Sequence, residues 1–143
     1  MKKNNPKPHY EITAIIELAS DGGFNISYER PEGLDFVLAA AGQSVAEAKE
    51  EFFEMLEEYK QEYEEEGKEW PNLEFAFRYD VASFLNFYNK TFSLAGIARL
   101  TGINQRQLSN YLNGYRNASP ATTQKIGKAI NDLGKELMQM EFA

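Results

Sequence analysis

Along residues 10–18, YEITAIIEL, apolar and polar positions alternate: Tyr10, Ile12, Ala14, Ile16 and Leu18 fall on one face, Glu11, Thr13 and Glu17 on the other. A period of two predicts a strand with one wet face. Asp21-Gly22-Gly23 is turn chemistry. FNISYE at 24–29 alternates again, with Phe24, Ile26 and Tyr28 inward, so the two stretches form a hairpin. A second turn, Arg30-Pro31-Glu32-Gly33, leads into LDFVLAAAG at 34–42, whose apolar character predicts a third, central strand. The period then becomes helical. Ser44 with Glu47 is a capping box. Ala48, Phe52, Met55, Leu56, Tyr59 and Tyr63 line one side of a helix over 45–66, glutamates fill the rest, and Gly67 stops it. NLEFAFRY at 72–79 predicts a fourth strand, with Leu73, Phe75, Phe77 and Tyr79 on one face.

From Asp80, an N-cap residue, the pattern is helical throughout: about 81–90, 94–100, 105–113 and 120–138. Ser93 and Asn104 cap the second and third of these, with Gln107 at the N3 position of the third. Ser119-Pro120 is a cap followed by proline at N1, where its missing N–H costs nothing. Ile126, Ile130, Leu133 and Leu137 give the last helix an apolar stripe. The fold class that results is α+β: a β-β-β-α-β layer at 1–79, then an all-α domain at 80–143. The first nine residues, MKKNNPKPH, are polar and broken by proline, and read as a loose tail.

Charge sharpens this division. The chain carries a net −7, yet residues 1–80 hold 8 Lys and Arg against 19 Asp and Glu, a net −11, and residues 81–143 hold 7 against 3, a net +4. One part can approach phosphate and the other is repelled by it. There is no cysteine, which excludes disulfides, thiolate metal sites and a cysteine nucleophile, and fits a reducing cytoplasm. No apolar stretch is long enough to span a bilayer and no secretory signal follows the N-terminal lysines, so no membrane is expected. The single histidine, His9, falls in the tail; no Ser/His/Asp set and no phosphate-cradling glycine loop is present. The glutamates lie on a solvated helix face rather than in a pocket. The expectation is a protein that is not an enzyme, with no cofactor and no metal.

The stretch SLAGIARLTGINQRQLSNYLNG at 93–114 carries the chemistry. Its framework of Leu94, Ile97, Ala98, Gly102, Ile103, Leu108 and Tyr111 resembles a helix-turn-helix of the Cro/phage-repressor kind. Ala98 is small where the next helix crosses, and Gly102 sits where the turn needs positive φ. The outer face of the second helix holds Asn104, Gln105, Arg106, Gln107, Ser109 and Asn110, with no acid. Amides pair with adenine edges and arginine with guanine in the major groove. By resemblance, Gln105, Arg106 and Asn110 are the base contacts, and Asn104 and Ser109 serve bases or backbone. Arg116, Asn117 and the Ser93 end of the preceding helix contact phosphates. Repressors of this type bind double-stranded operator DNA as dimers on two half-sites, which implies a homodimer or higher homo-oligomer, with the sheet and its edges as the place of association.

The first part resembles the HicB antitoxin family through the ITAIIEL strand, the DGGFNISY hairpin and GQSVAEAKEEF opening the long helix. That family joins a partly degraded double-stranded-RNA-binding-type fold to a DNA-binding domain. The family's proline-rich stretch with a cysteine after the second strand is replaced here by ERPEGLDFVLAA. The resemblance implies an antitoxin that masks a small basic HicA-like ribonuclease and represses its own operon, and an acidic module speeds capture of a basic partner. A regulator of the same architecture without a toxin, and an interaction module that no longer touches DNA, remain open at this point.

Overall fold

The computed structural model describes residues 6–143, and the chain divides between Asp80 and Val81 into two compact units. In the first, β1 (His9–Leu18), β2 (Phe24–Ser27), β3 (Ala39–Gly42) and β4 (Asn72–Tyr79) form one sheet in the order β3-β2-β1-β4, crossed by α1 (Val45–Glu65). β1 and β2 pair antiparallel, Leu18 opposite Phe24; β2 and β3 pair antiparallel, Phe24 opposite Gly42. β4 runs parallel to β1, Phe75 beside Ile12. A parallel partner needs a long crossover, and α1, with 21 residues, returns the chain across about 31 Å.

The alternation seen in sequence becomes the core. Ile12, Ala14 and Ile16 of β1, Phe24 and Ile26 of β2, and Ala48 and Phe52 of α1 are buried in one cluster. The Phe52 ring makes edge contacts with Tyr28, Phe75 and Phe77, at centroid distances of 6.2, 5.0 and 5.4 Å. Removing it, as in Phe52→Ala, takes the central ring out of this aromatic cluster and leaves a cavity among the others. At the start of α1, Ser44 Oγ accepts the Glu47 N–H at 3.1 Å, and Glu47 Oε2 accepts the Gln43 N–H at 2.9 Å, one residue before the usual place. Gly42 is needed here because a Cβ would lie 2.5 Å from the Ala48 nitrogen.

Several expectations are corrected. The third strand is not central: it lies at the edge, because consecutive hairpins place β3 outside β2 while β4 takes the free side of β1. It is also shorter, starting at Ala39 rather than 34, since β2 ends at Ser27 and residues 34–38 have no partner to pair with. Leu34, Phe36 and Leu38 are buried all the same, Phe36 between Tyr59 at 4.8 Å and Trp70 at 5.3 Å. The alternation there records packing without a ladder. His9 belongs to β1, paired with Asn72, and not to a tail; the tail reading of residues 1–5 lies outside the described residues. Tyr79 is 42 % exposed, unlike Leu73, Phe75 and Phe77, which pack on the core.

The second unit, Val81–Ala143, holds α2 (Val81–Tyr88), α3 (Leu94–Thr101), α4 (Gln105–Leu112) and α5 (Pro120–Met138). Leu85, Ile97, Ile103, Leu108, Tyr111 and Ile126 form its core, with Ala98 and Ile130 packed against them. α2 stops at Tyr88, where both Thr91 and Phe92 N–H groups donate to the Tyr88 carbonyl. The expected stripe on α5 fades toward its end: Ile126 is buried, Leu133 half-buried and Leu137 48 % exposed.

Candidate nucleic-acid interface

Three local devices hold α3 and α4 together. Ser93 Oγ accepts the Gly96 N–H at 2.9 Å and starts α3. Gly102 ends it in the left-handed region, φ +73°, its N–H donating to Ala98 O at 2.8 Å. Buried Thr101 ties the turn, its hydroxyl donating to Ile97 O at 2.7 Å and accepting the Ile103 N–H at 3.2 Å. Asn104 then caps α4 by accepting the Arg106 N–H at 2.8 Å.

The two faces of α4 differ sharply. Leu108 and Tyr111 are buried against α3 and α2. At 100° per residue, Gln105, Arg106, Ser109, Asn110 and Asn113 span the opposite side. Of the residues read from sequence, Asn104, Gln105 and Arg106 are exposed there, and Ser109 and Asn110 are half-buried. Gln107 is exposed as well, and its Nε2 donates to the Tyr111 hydroxyl at 2.8 Å. Ser93, read from sequence as a phosphate contact at the start of the preceding helix, is exposed, and its Oγ accepts the Gly96 N–H.

The end of α4 is closed by a Schellman arrangement. Tyr115 N–H donates to Asn110 O at 2.9 Å and Gly114 N–H to Tyr111 O at 3.1 Å, with Gly114 at φ +74°. Asn86 Nδ2 donates to the Leu112 carbonyl at 2.9 Å, satisfying another terminal acceptor. This reversal delivers Tyr115, Arg116 and Asn117, all exposed, directly after α4.

Sequence reading missed two residues at this face. Asn113 donates to Ser109 Oγ at 3.3 Å and extends the polar side by one turn; its i+4 spacing from Ser109 is the signal that could have found it. Tyr115 is 77 % exposed, an aromatic that the core does not use. Lys125 Nζ also comes close to the turn, 3.8 Å from where a Gly102 side chain would begin.

Charge agrees with the shape. Residues 89–131 contain Lys90, Arg99, Arg106, Arg116, Lys125 and Lys128 and no acid. Only Lys128 of these is held in a described ion pair, with Asp132 at 2.6 Å, which raises the lysine pKa and lowers that of the aspartate through the hydrogen bond. Among the described residues one group could hold a cation: His9, Glu11 and Glu74, exposed on the open face of the sheet, with ligand atoms within 4.8 Å of one another. No helix is long and apolar enough to cross a membrane among the described residues.

Residues 89–133 match the helix-turn-helix family model. No curated protein matches the chain, and no solved structure does. The match covers α3, α4 and most of α5, and it points to a DNA-binding transcriptional regulator. It does not extend to the sheet-bearing unit, where the HicB resemblance lies.

Proposed function

We propose that this chain is a sequence-specific, homodimeric transcriptional repressor of the cytoplasm that reads operator DNA with α4, and that its acidic unit makes it a HicB-like antitoxin. The observation that carries the DNA reading is the outer face of α4: amides, a hydroxyl and one guanidinium with no acid, inside an acid-free run of 43 residues from 89 to 131. A solvated face of an ordinary helix carries glutamate and lysine instead, as α1 does. Gln105, Arg106 and Asn110 take base edges, and Asn104 and Ser109 serve bases or backbone. Arg116, Asn117 and the Ser93 end of α3 hold phosphate oxygens and fix the register. Gln107, exposed beside them, belongs to the same DNA-facing set, and its amide also donates to the Tyr111 hydroxyl.

The antitoxin reading is supported by the β-β-β-α-β order of the first unit and by its net −11, which suits a small basic ribonuclease as partner. On this reading the chain has no catalytic activity of its own.

Fluorescence anisotropy against a duplex from upstream of the protein's own gene, beside a scrambled duplex, tests the first part. The native duplex binds more tightly, and the Arg106→Ala, Asn110→Ala variant loses about a hundredfold or more in affinity for it, each base contact being worth roughly 1–3 kcal/mol, with an unchanged melting temperature. Equal affinity for both duplexes, or an undiminished double variant, contradicts α4 as the reading helix. The second part is tested by co-expression with the product of an adjacent gene for a small basic protein. Relief of its growth arrest identifies an antitoxin, and its absence leaves a repressor without a toxin.

A further inference from the structure

β1 takes only half of the backbone groups of β4. Asn72 N–H donates to Pro8 O at 2.9 Å and Asp80 N–H to Ile16 O at 3.0 Å, so the even-numbered residues turn toward β1. In a parallel ladder the alternate residues turn away, which aims the N–H and C=O groups of Leu73, Phe75 and Phe77 at the outer edge. β4 is the last strand of the sheet on this side. It runs for eight residues with no proline inside it and a single basic residue, so the usual devices that blunt an edge are few. The opposite edge differs. β3 has only four residues, and its Ala41 N–H already donates to Glu51 Oε2 at 2.7 Å.

We propose that β4 pairs antiparallel with β4 of a second copy about a two-fold axis at Ala76, joining two four-stranded sheets into one of eight. The proposal locates the dimer contact of the repressor described above and rests on that dimeric reading. Parity and charge select the register. An antiparallel ladder requires outward-facing residues to oppose each other. Centred on Ala76, Phe75 opposes the second copy's Phe77 in two hydrogen-bonded pairs. Glu74 then opposes the second copy's Arg78, twice by symmetry, in the closer non-hydrogen-bonded positions where opposite charges attract. Every neighbouring register is worse. Centres at Glu74 or Arg78 oppose like residues, a centre at Phe77 sets Glu74 against Asp80, and one at Phe75 leaves both charges without a partner. The small Ala76 side chain sits where the strands come closest. On the α1 side, Phe53, 48 % exposed, lies 5.8 Å from the Phe77 ring and adds an apolar rim to the same edge.

Sedimentation of the full chain and of charge variants tests this. Glu74→Arg alone and Arg78→Glu alone each create two like-charge pairs, and each raises the dimer dissociation constant on the order of tenfold or more. An equimolar mixture of the two single variants restores the dimer, because each copy then complements the other. The chain has no cysteine, so Ala76→Cys supplies a single thiol on the axis. Opposed Cα atoms about 4.5 Å apart lie within the roughly 4.4–6.8 Å that a disulfide spans, and oxidation links this variant into dimers. Thr13→Cys, on the same open face but one strand in, does not link. A wild-type monomer at micromolar concentration, single variants that dimerise like wild type, or Ala76→Cys linking no better than Thr13→Cys would overturn the proposal. Anisotropy with the duplexes above separates the two readings: a β4-dependent dimer that binds neither duplex refutes the repressor and keeps the edge contact, whereas specific binding by a dimer indifferent to these charges refutes the edge contact alone.

Discussion

Gly102 shows how much one backbone position governs the candidate interface. Its φ of +73° turns the chain from α3 into α4, a region where an L side chain meets its own carbonyl. Space is not the obstacle, since the nearest atom to an added Cβ is the flexible tip of Lys125 at 3.8 Å. Gly102→Ala therefore costs about 1–2 kcal/mol of conformational strain, read as a shift of the urea midpoint with an unchanged slope. A loss well above that range would place a packing role on the glycine. Gly102, and the caps at Ser93, Asn104 and Ser119, were legible in sequence because each answers a local rule that needs only near neighbours. The bond from Gln107 to Tyr111 was not. Periodicity assigns a residue to a side of the helix, but the choice between solvent and the Tyr111 hydroxyl is made by a rotamer that no pattern encodes.

At the level of elements, α1 is fastened to the irregular segment 34–38 as well as to the sheet. Tyr63 donates a hydrogen bond to Asp35 Oδ1. Burial first, and then this bond, push the Tyr63 pKa up to about 12 from the usual 10, and burial also raises that of Tyr28. A raised phenol pKa means the fold favours the neutral form. Its stabilisation is whole below the unfolded value near 10 and is lost as pH climbs through the folded value. The first unit thus loses stability between about pH 10 and 12, and Tyr63→Phe removes part of that alkaline loss, leaving the share of Tyr28. Denaturant midpoints across this range, with tyrosinate absorbance recorded in parallel, measure it; a Phe variant with the same alkaline slope as wild type would contradict the assignment. The same segment explains the misplaced third strand. Leu34, Phe36 and Leu38 alternate as a strand does, but a ladder needs a partner, and β2 has already ended. Which strands lie side by side is a long-range property, so β4 beside β1 and β3 at the rim were beyond any local pattern.

For the molecule as a whole, the division of charge sets how DNA is approached. The −11 of residues 1–80 weakens encounter with any duplex, while the +4 of residues 81–143 supplies the contacts. Changing the exposed Glu57, Glu58 and Glu62 to Gln raises affinity for a scrambled duplex several-fold at low salt. The gain fades as salt is added, because charges beyond about 10 Å are screened at 0.1 M. Anisotropy titrations at stepped ionic strength record this, and a gain that persists at high salt would mean that direct contacts had changed. This split, and the acid-free face of α4, could be counted from the chain itself. The state of the two sheet edges could not, since it depends on Glu51 reaching across to Ala41 from a helix ten residues away. That one carboxylate has a consequence for assembly. On the pairing proposed above, β4 is the one long edge each copy offers, since β3 is short and its Ala41 N–H is already engaged. Growth by two-fold pairing of β4 would therefore terminate at two and would not stack the chain into a fibre.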